Sequence, residues 1–188
     1  CPWCVVPRKE GAIRANADIE EFLGGRRNAV LLDNNVLASG WGLEQIEKII
    51  RLGVRVDFNQ GLDARQIARN PPIAELLSRV KWMRYIRMAY DSTAVRDDVR
   101  KAIERLKKCG MKPAKMFFYV LVREVDDALA RIEELDALGA SAIESADGGV
   151  GFAGDFSLMM RVNLHSRFAS RILWRLGGGR CRTDADLY

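Results

Sequence analysis

The stretch Lys115-Met116-Phe117-Phe118-Tyr119-Val120-Leu121-Val122, followed by Val125 to Leu138 and closed by Gly139, decides the fold class. Its first half is a near-continuous apolar run, the pattern of a strand covered on both faces, as strands of parallel sheets are. Its second half has helical spacing, and Gly139 is a natural helix stop. The same unit recurs upstream. Ala29 to Leu32, Val54 to Phe58 and Trp82 to Ala89 read as strands. Gly42 to Leu52 carries Leu43, Ile46, Ile49 and Ile50 at helical spacing and stops at Gly53. Ala64 to Leu77 is helical but interrupted by Pro71 and Pro72, and Thr93 to Cys109 shows Val95, Val99, Ile103 and Leu106 on one face before Gly110. Strand-helix units of roughly 30 residues in series predict parallel strands joined by right-handed crossovers, an α/β fold.

In such sheets ligands sit beyond the carboxyl ends of the strands. Polar clusters fall at those ends: Asp33-Asn34-Asn35, Asn59-Gln60 and Asp91-Ser92. One cluster is ordinary loop chemistry; three at equivalent places point to a shared pocket. Asn70-Pro71-Pro72-Ile73 is a proline break before a helix rather than the Asn-Pro-Pro-aromatic motif of amino methyltransferases, because Ile73 replaces the aromatic and no Gly-rich loop precedes it.

The chain has 188 residues, 48% hydrophobic and 29% charged, with net charge +5. That is enough for one good core, or one domain with a small appendage. No apolar run approaches a membrane span, and no signal-peptide pattern is present, so a cytoplasmic protein without membrane contact is expected. The charge is mild and forms no block, a weak pointer to nucleic acid. His165 is the sole histidine, which speaks against His-based metal sites and catalytic triads. The four cysteines are Cys1, Cys4, Cys109 and Cys181. Cys1-Pro2-Trp3-Cys4 could be half of a zinc site, but the matching pair is absent; a thioredoxin-like redox pair, but no strand precedes it; or two of three ligands of an iron–sulfur cluster.

The third reading is carried further by resemblance. Cys1, Trp3 and Cys4, with Phe58-Asn59-Gln60-Gly61-Leu62-Asp63-Ala64-Arg65, Ala89-Tyr90-Asp91-Ser92 and Tyr119-Val120-Leu121-Val122, resemble the radical SAM superfamily over about residues 1–140. The superfamily signature is Cys-x-x-x-Cys-x-aromatic-Cys, and its first cysteine would lie four positions before residue 1. The resemblance implies an incomplete (β/α) barrel and a [4Fe–4S] cluster with Cys1 and Cys4 among its thiolates. It also implies S-adenosylmethionine on the open iron, cleaved by one electron from a donor protein to a 5′-deoxyadenosyl radical that attacks an unknown substrate. It places Trp3 near the adenine, and Asp33, Asn34 and Asn35 where many members carry a Gly-Gly-Glu segment. Asn59, Gln60, Arg87 and Asp91 would offer ribose or carboxylate contacts. With two of the family's three thiolates, the chain as given is expected not to hold a stable cluster and to be inactive alone.

After Gly139 the texture changes: Gly148-Gly149 and Gly177-Gly178-Gly179 appear, Lys vanishes and Arg persists. Val150 to Phe152 is a strand candidate, Phe156 to Leu164 a helix, and Ser170 to Leu176 a half-buried strand with Ile172, Trp174 and Leu176 on one face. A boundary near residues 139–147 divides a 1–140 domain from a small α+β segment over 141–188. Gly148 to Asp155, Arg161-Val162-Asn163-Leu164, Ser166 to Leu173 and Asp186-Leu187-Tyr188 resemble the N-terminal region of large-subunit rRNA guanine-N2 methyltransferases that carry a THUMP domain. That resemblance implies a partial ferredoxin-like, THUMP-associated segment in which Arg161, Arg167, Arg171 and Arg175 meet rRNA phosphates; arginines on a solvated face are the plainer account. The two resemblances meet at Leu135 to Ala140, which predicts a chimera, the rival being a natural extension. Two functions follow: radical SAM chemistry from residues 1–140, or an RNA-binding module in the C-terminal segment.

Overall fold

The structure is a computed structural model, and it describes residues 6–121 and 124–140. Two short helices open it, α1 (Val6–Glu10) and α2 (Ile19–Leu23). Helix α2 begins at a capping box: the Asp18 side chain accepts from the backbone, and the Glu21 carboxylate accepts from the Asp18 N–H. Then follow β1 (Asn28–Leu31), α3 (Gly40–Leu52), β2 (Arg55–Phe58), α4 (Ala64–Arg69), α5 (Pro71–Ser78), β3 (Lys81–Trp82), β4 (Ile86–Ala89), α6 (Arg96–Lys108), β5 (Met116–Tyr119) and α7 (Val125–Ala137). The two prolines split the predicted 64–77 helix at Asn70, and Pro71 becomes the first residue of α5, where its missing N–H costs nothing.

All strand pairings are parallel, as the strand-helix alternation requires. The expected incomplete barrel is corrected. Among the described residues the strands form two small sheets, one ordered β1-β2-β3 and one of β4 and β5. The reason lies in the stretch expected to be one strand, Trp82 to Ala89, which breaks at residues 83–85. Before the break, Met83 N–H donates to Val56 O, the Trp82 ring stands 5.7 Å from Phe58, and its indole N–H donates to Leu77 O at 3.2 Å. These contacts hold β3 to β2 and α5. After the break, β4 runs in register with β5, Ile86 opposite Met116 and Met88 opposite Phe118, and all four side chains are fully buried. A single isolated bridge, Leu62 to Met88, joins the β2 side to β4. The sheet core expected around Leu31, Val56, Ile86 and Tyr119 is accordingly divided: Val56 and Ile86 are wholly buried, Leu31 and Tyr119 only partly.

The core lies between the strands and the helices. Val56, Phe58, Ile86, Met88, Met116 and Phe118 meet Ile46 and Ile49 of α3, Ile67 of α4, Leu77 of α5, Ile103 and Leu106 of α6, and Ile132 and Leu135 of α7. Because strand side chains alternate, Val30, Asp57, Arg87, Phe117 and Tyr119 face the other way. Gly42, at the start of α3, sits where a Cβ would fall 2.0 Å from Val36 O, so only glycine fits. The predicted elements at 150–152, 156–164 and 170–176, and the boundary at 139–147 beyond residue 140, lie outside the described residues. Among the described residues no helix is long and apolar enough to cross a membrane.

Candidate functional site

The carboxyl ends of β1, β2, β4 and β5 carry a linked set of polar side chains. Its centre is Arg87 on β4. The guanidinium takes both Asp57 oxygens, Nε to Oδ1 at 2.8 Å and Nη2 to Oδ2 at 2.9 Å, and Nη1 donates to the Tyr119 hydroxyl at 3.1 Å. Tyr119 in turn donates to Asn59 O at 3.1 Å. The Asp57 carboxylate beside it holds the Arg87 guanidinium well above its ordinary pKa, against a smaller opposing effect of burial. One arginine thus ties β2, β4 and β5 together across the gap between the two sheets.

A second group forms where β1 and β2 lead into their helices. Asp63 caps α4 by accepting from the Arg65 N–H at 3.0 Å, and it also receives Arg65 Nε at 2.9 Å and Nη2 at 2.8 Å. Asn35 Nδ2 reaches the same carboxylate at 3.3 Å. Burial pushes the Asp63 carboxyl up, but the Arg65 hydrogen bonds and charge outweigh it, so the net displacement is downward. Asn35 Oδ1 is buried without a hydrogen-bond partner among the described residues, an acceptor left free beside a carboxylate and a guanidinium. Such an atom wants a donor, and an incoming ligand can supply one.

Asp91, just past β4, is the third member. Burial raises its carboxyl above the usual range, opposed by the Leu121 N–H and by the charges of Arg131 and Arg65. Behind it, the fully buried Arg131 of α7 donates to Tyr90 O and, at 2.8 Å, to Leu121 O, and pairs with Asp127. Glu134 of α7 accepts from the Tyr90 hydroxyl at 2.7 Å and pairs with Arg96 and Arg100.

The structure therefore gathers Asn35, Asn59, Arg87 and Asp91 at one end of the strands. Asp33, Asn34 and Gln60 lie at the same end, exposed to solvent. Arg87 is already engaged by Asp57, so within this arrangement it fastens the site rather than offering free donors. Cys1, Trp3 and Cys4, and Arg161, Arg167, Arg171 and Arg175, fall outside the described residues. Cys109 caps the far end of α6 as a free thiol. Among the described residues no group of three His, Cys, Asp or Glu side chains is placed to hold a metal ion, so they supply no ligand set for an iron–sulfur cluster. Sequence reasoning missed Asp57, Asp63, Arg65 and Tyr119 as site residues. Asp57 had a readable signal, a lone carboxylate inside the apolar run Val54 to Phe58.

The RlmL ferredoxin-like domain family matches residues 128–173. This covers α7 from Ala128 onward, all but its first three residues, and then runs beyond the described residues. No solved structure matches the chain.

Proposed function

We propose that this chain contributes an rRNA-contacting module akin to that of large-subunit rRNA guanine-N2 methyltransferases, carried by its C-terminal segment. The observation that supports the reading is the similarity of residues 128–173 to the RlmL ferredoxin-like domain. Arg161, Arg167 and Arg171 fall inside that stretch and Arg175 just beyond it. Arginine is suited to phosphate because its planar fork donates two parallel hydrogen bonds. The test is binding of the full chain to a large-subunit rRNA fragment, followed by fluorescence anisotropy across salt concentrations. Replacing the four arginines with Gln should lower the salt slope by about 3, at roughly 0.7 to 0.9 for each phosphate no longer neutralised. An unchanged slope and affinity would sink the reading.

A second reading attaches to residues 1–140. There S-adenosylmethionine would sit at the carboxyl ends of the strands, as the radical SAM resemblance implies. The unpartnered Asn35 Oδ1 beside Asp63 favours it, since an ammonium or hydroxyl of the ligand would satisfy that atom. Cys1 and Cys4 would be two of the cluster thiolates, and the described residues add none. Titration calorimetry with S-adenosylmethionine is the measurement. Weakening by about tenfold in Asn35→Ala, the scale of one missing hydrogen bond, is the expected result, and absence of binding to the unaltered chain counts against the idea.

A further inference from the structure

The fold assembles a charge pattern that is scattered in the sequence. Each segment leading from a helix into a strand of the first sheet is basic and contains no Asp or Glu: Gly24 to Asn28 holds Arg26 and Arg27, Arg51 to Val56 holds Arg51 and Arg55, and Ser78 to Trp82 holds Arg79 and Lys81. The strand register then sets two of them side by side. Asn28 stands opposite Arg55, and Arg55 opposite Lys81, while Arg55 N–H donates to Arg27 O at 2.8 Å. Adjacent strands lie about 4.8 Å apart, so the register partners Arg55 and Lys81 stand side by side at that interval, and Arg27, one residue before Asn28, adds a third cation at the same amino-terminal edge of the sheet. All six side chains are exposed, and none forms an ion pair with a described residue. The segment from α6 to β5 continues the pattern with Lys107, Lys108, Lys112 and Lys115, with no acid between them. The carboxyl ends of the strands differ, carrying Asp33, Asp63 and Asp91 together with Arg65 and Arg87.

Part of this has a plain cause. Basic residues at helix C-termini complement the helix dipole, which accounts for Arg51, Lys107 and Lys108. It does not account for Arg55 and Lys81, which belong to strand starts and repel one another across the register, nor for Arg27 just before β1. Like charges gathered at one edge raise the local potential for a polyanion, which would neutralise their repulsion.

We propose that the amino-terminal edge of the β1-β2-β3 sheet, centred on Arg27, Arg55 and Lys81, is a phosphate-binding surface for RNA. The identity of the polyanion rests on the rRNA reading above; the cluster of cations does not. This surface lies on strands well before residue 128 and so is separate from the family-matched stretch. It tracks a backbone and reads no sequence, because cations at strand starts meet phosphates, which carry no sequence information.

The experiment compares three full-length chains: unaltered, a sheet-edge variant (Arg27→Gln, Arg55→Gln and Lys81→Gln together), and a tail variant (Arg161→Gln, Arg167→Gln, Arg171→Gln and Arg175→Gln together). The probes are a fluorescent RNA hairpin and vesicles of phosphatidylglycerol with phosphatidylcholine. Circular dichroism confirms that the sheet-edge variant keeps its fold, as exposed positions should allow. The sheet-edge variant should bind RNA about tenfold or more weakly and lose about 2 to 3 from the salt slope. RNA binding unchanged in the sheet-edge variant but abolished in the tail variant overturns this inference and leaves the proposed function standing. Loss in the sheet-edge variant with the tail variant unaffected supports this surface and removes the proposed one. Vesicle binding that depends on the three cations, with RNA binding indifferent to them, overturns it in favour of a lipid surface.

Discussion

Arg87 on β4 grips Asp57 on β2 through two parallel hydrogen bonds, and this pair bridges two sheets that, among the described residues, are otherwise joined by the isolated Leu62 to Met88 bridge. Both side chains are mostly removed from water, at 18% and 12% exposure. Breaking a buried pair by removing one partner is expensive because the other charge is stranded, about 3 kcal/mol or more. Arg87→Ala should therefore lower the unfolding free energy in urea by about 3 kcal/mol. Arg87→Lys should recover only part, because a single ammonium cannot reproduce the fork. The double replacement Asp57→Val with Arg87→Met should be less destabilised than Arg87→Ala alone. Equal loss in all three would show that the pair's geometry does not matter.

Arg131 does a related task for α7. It is 1% exposed and donates to Tyr90 O and Leu121 O, the carbonyls at the ends of β4 and β5. Arg131→Met keeps the apolar length but leaves both acceptors unpaired, a cost of about 1 to 3 kcal/mol each for groups held from water. Urea unfolding followed by circular dichroism should show a midpoint shift of that size with an unchanged slope. Arg131 also lies 5.6 Å from the centre of the Tyr90 ring, so tyrosine fluorescence offers a second probe.

How much of the fold and site is legible in the sequence differs by residue. The strand-helix order is readable because buried strands are short apolar runs and Gly53, Gly110 and Gly139 stop the helices, each with positive φ. The capping box at Asp18 and Glu21 is equally local, yet α2 does not stand out because five residues carry too little periodicity. The break between Trp82 and Ile86 is not readable. Trp82 to Ala89 is uniformly apolar and basic, and what divides it is the tertiary choice of Trp82 for Phe58 and Leu77 and of Met88 for Phe118. Asn35 stands out as a strand-end polar residue, but its partner Asp63 does not, because a residue before a helix reads as a cap. It is a cap and an acceptor for Arg65 and Asn35 at once. The basic sheet edge is hidden for another reason: its cations come from three segments, and only the pairing of the strands sets Arg55 beside Lys81 and brings Arg27 to the same edge.

Asp91 and Asp63 should give opposite dependences on pH. Burial raises the Asp91 carboxyl, so the folded chain holds that proton more tightly than the unfolded chain does. Its charge opposes folding at neutral pH, and that opposition is relieved as pH falls through the folded value toward the unfolded one, about 3.9. Asp63 is displaced downward overall, its Arg65 bonds outweighing burial. Its contribution is favourable above about pH 3.9 and is lost as pH falls through the lower folded value. Asp91→Asn should thus stabilise the chain at pH 7, since the amide can still accept from Leu121 N–H, and Asp63→Asn should destabilise it. Unfolding midpoints at pH 7, 5 and 3.5 decide the matter. A stabilising carboxyl removal is also what a residue kept for ligand binding rather than for the fold would show.

The family match begins at residue 128, inside α7, yet α7 packs into the same buried core as the strands and helices before it. Ala128, Leu129, Ile132 and Leu135 are buried against it, and Ala140 just past the helix is buried too. Ile132 and Leu135 alone represent about 1.5 to 3 kcal/mol each of burial, and Arg131 and Glu134 add the ties to Tyr90, Leu121, Arg96 and Arg100. Set against a typical total stability of about 5 to 15 kcal/mol, α7 is not a removable appendage. A chain ending at residue 140 should unfold in one cooperative transition in urea. A chain ending at residue 127, where the match has not yet begun, should lose that transition and bind a hydrophobic dye. If the chain ending at 127 unfolds as cooperatively as the longer one, α7 belongs with the segment that follows it, and the matched region is a separable domain from its first residue.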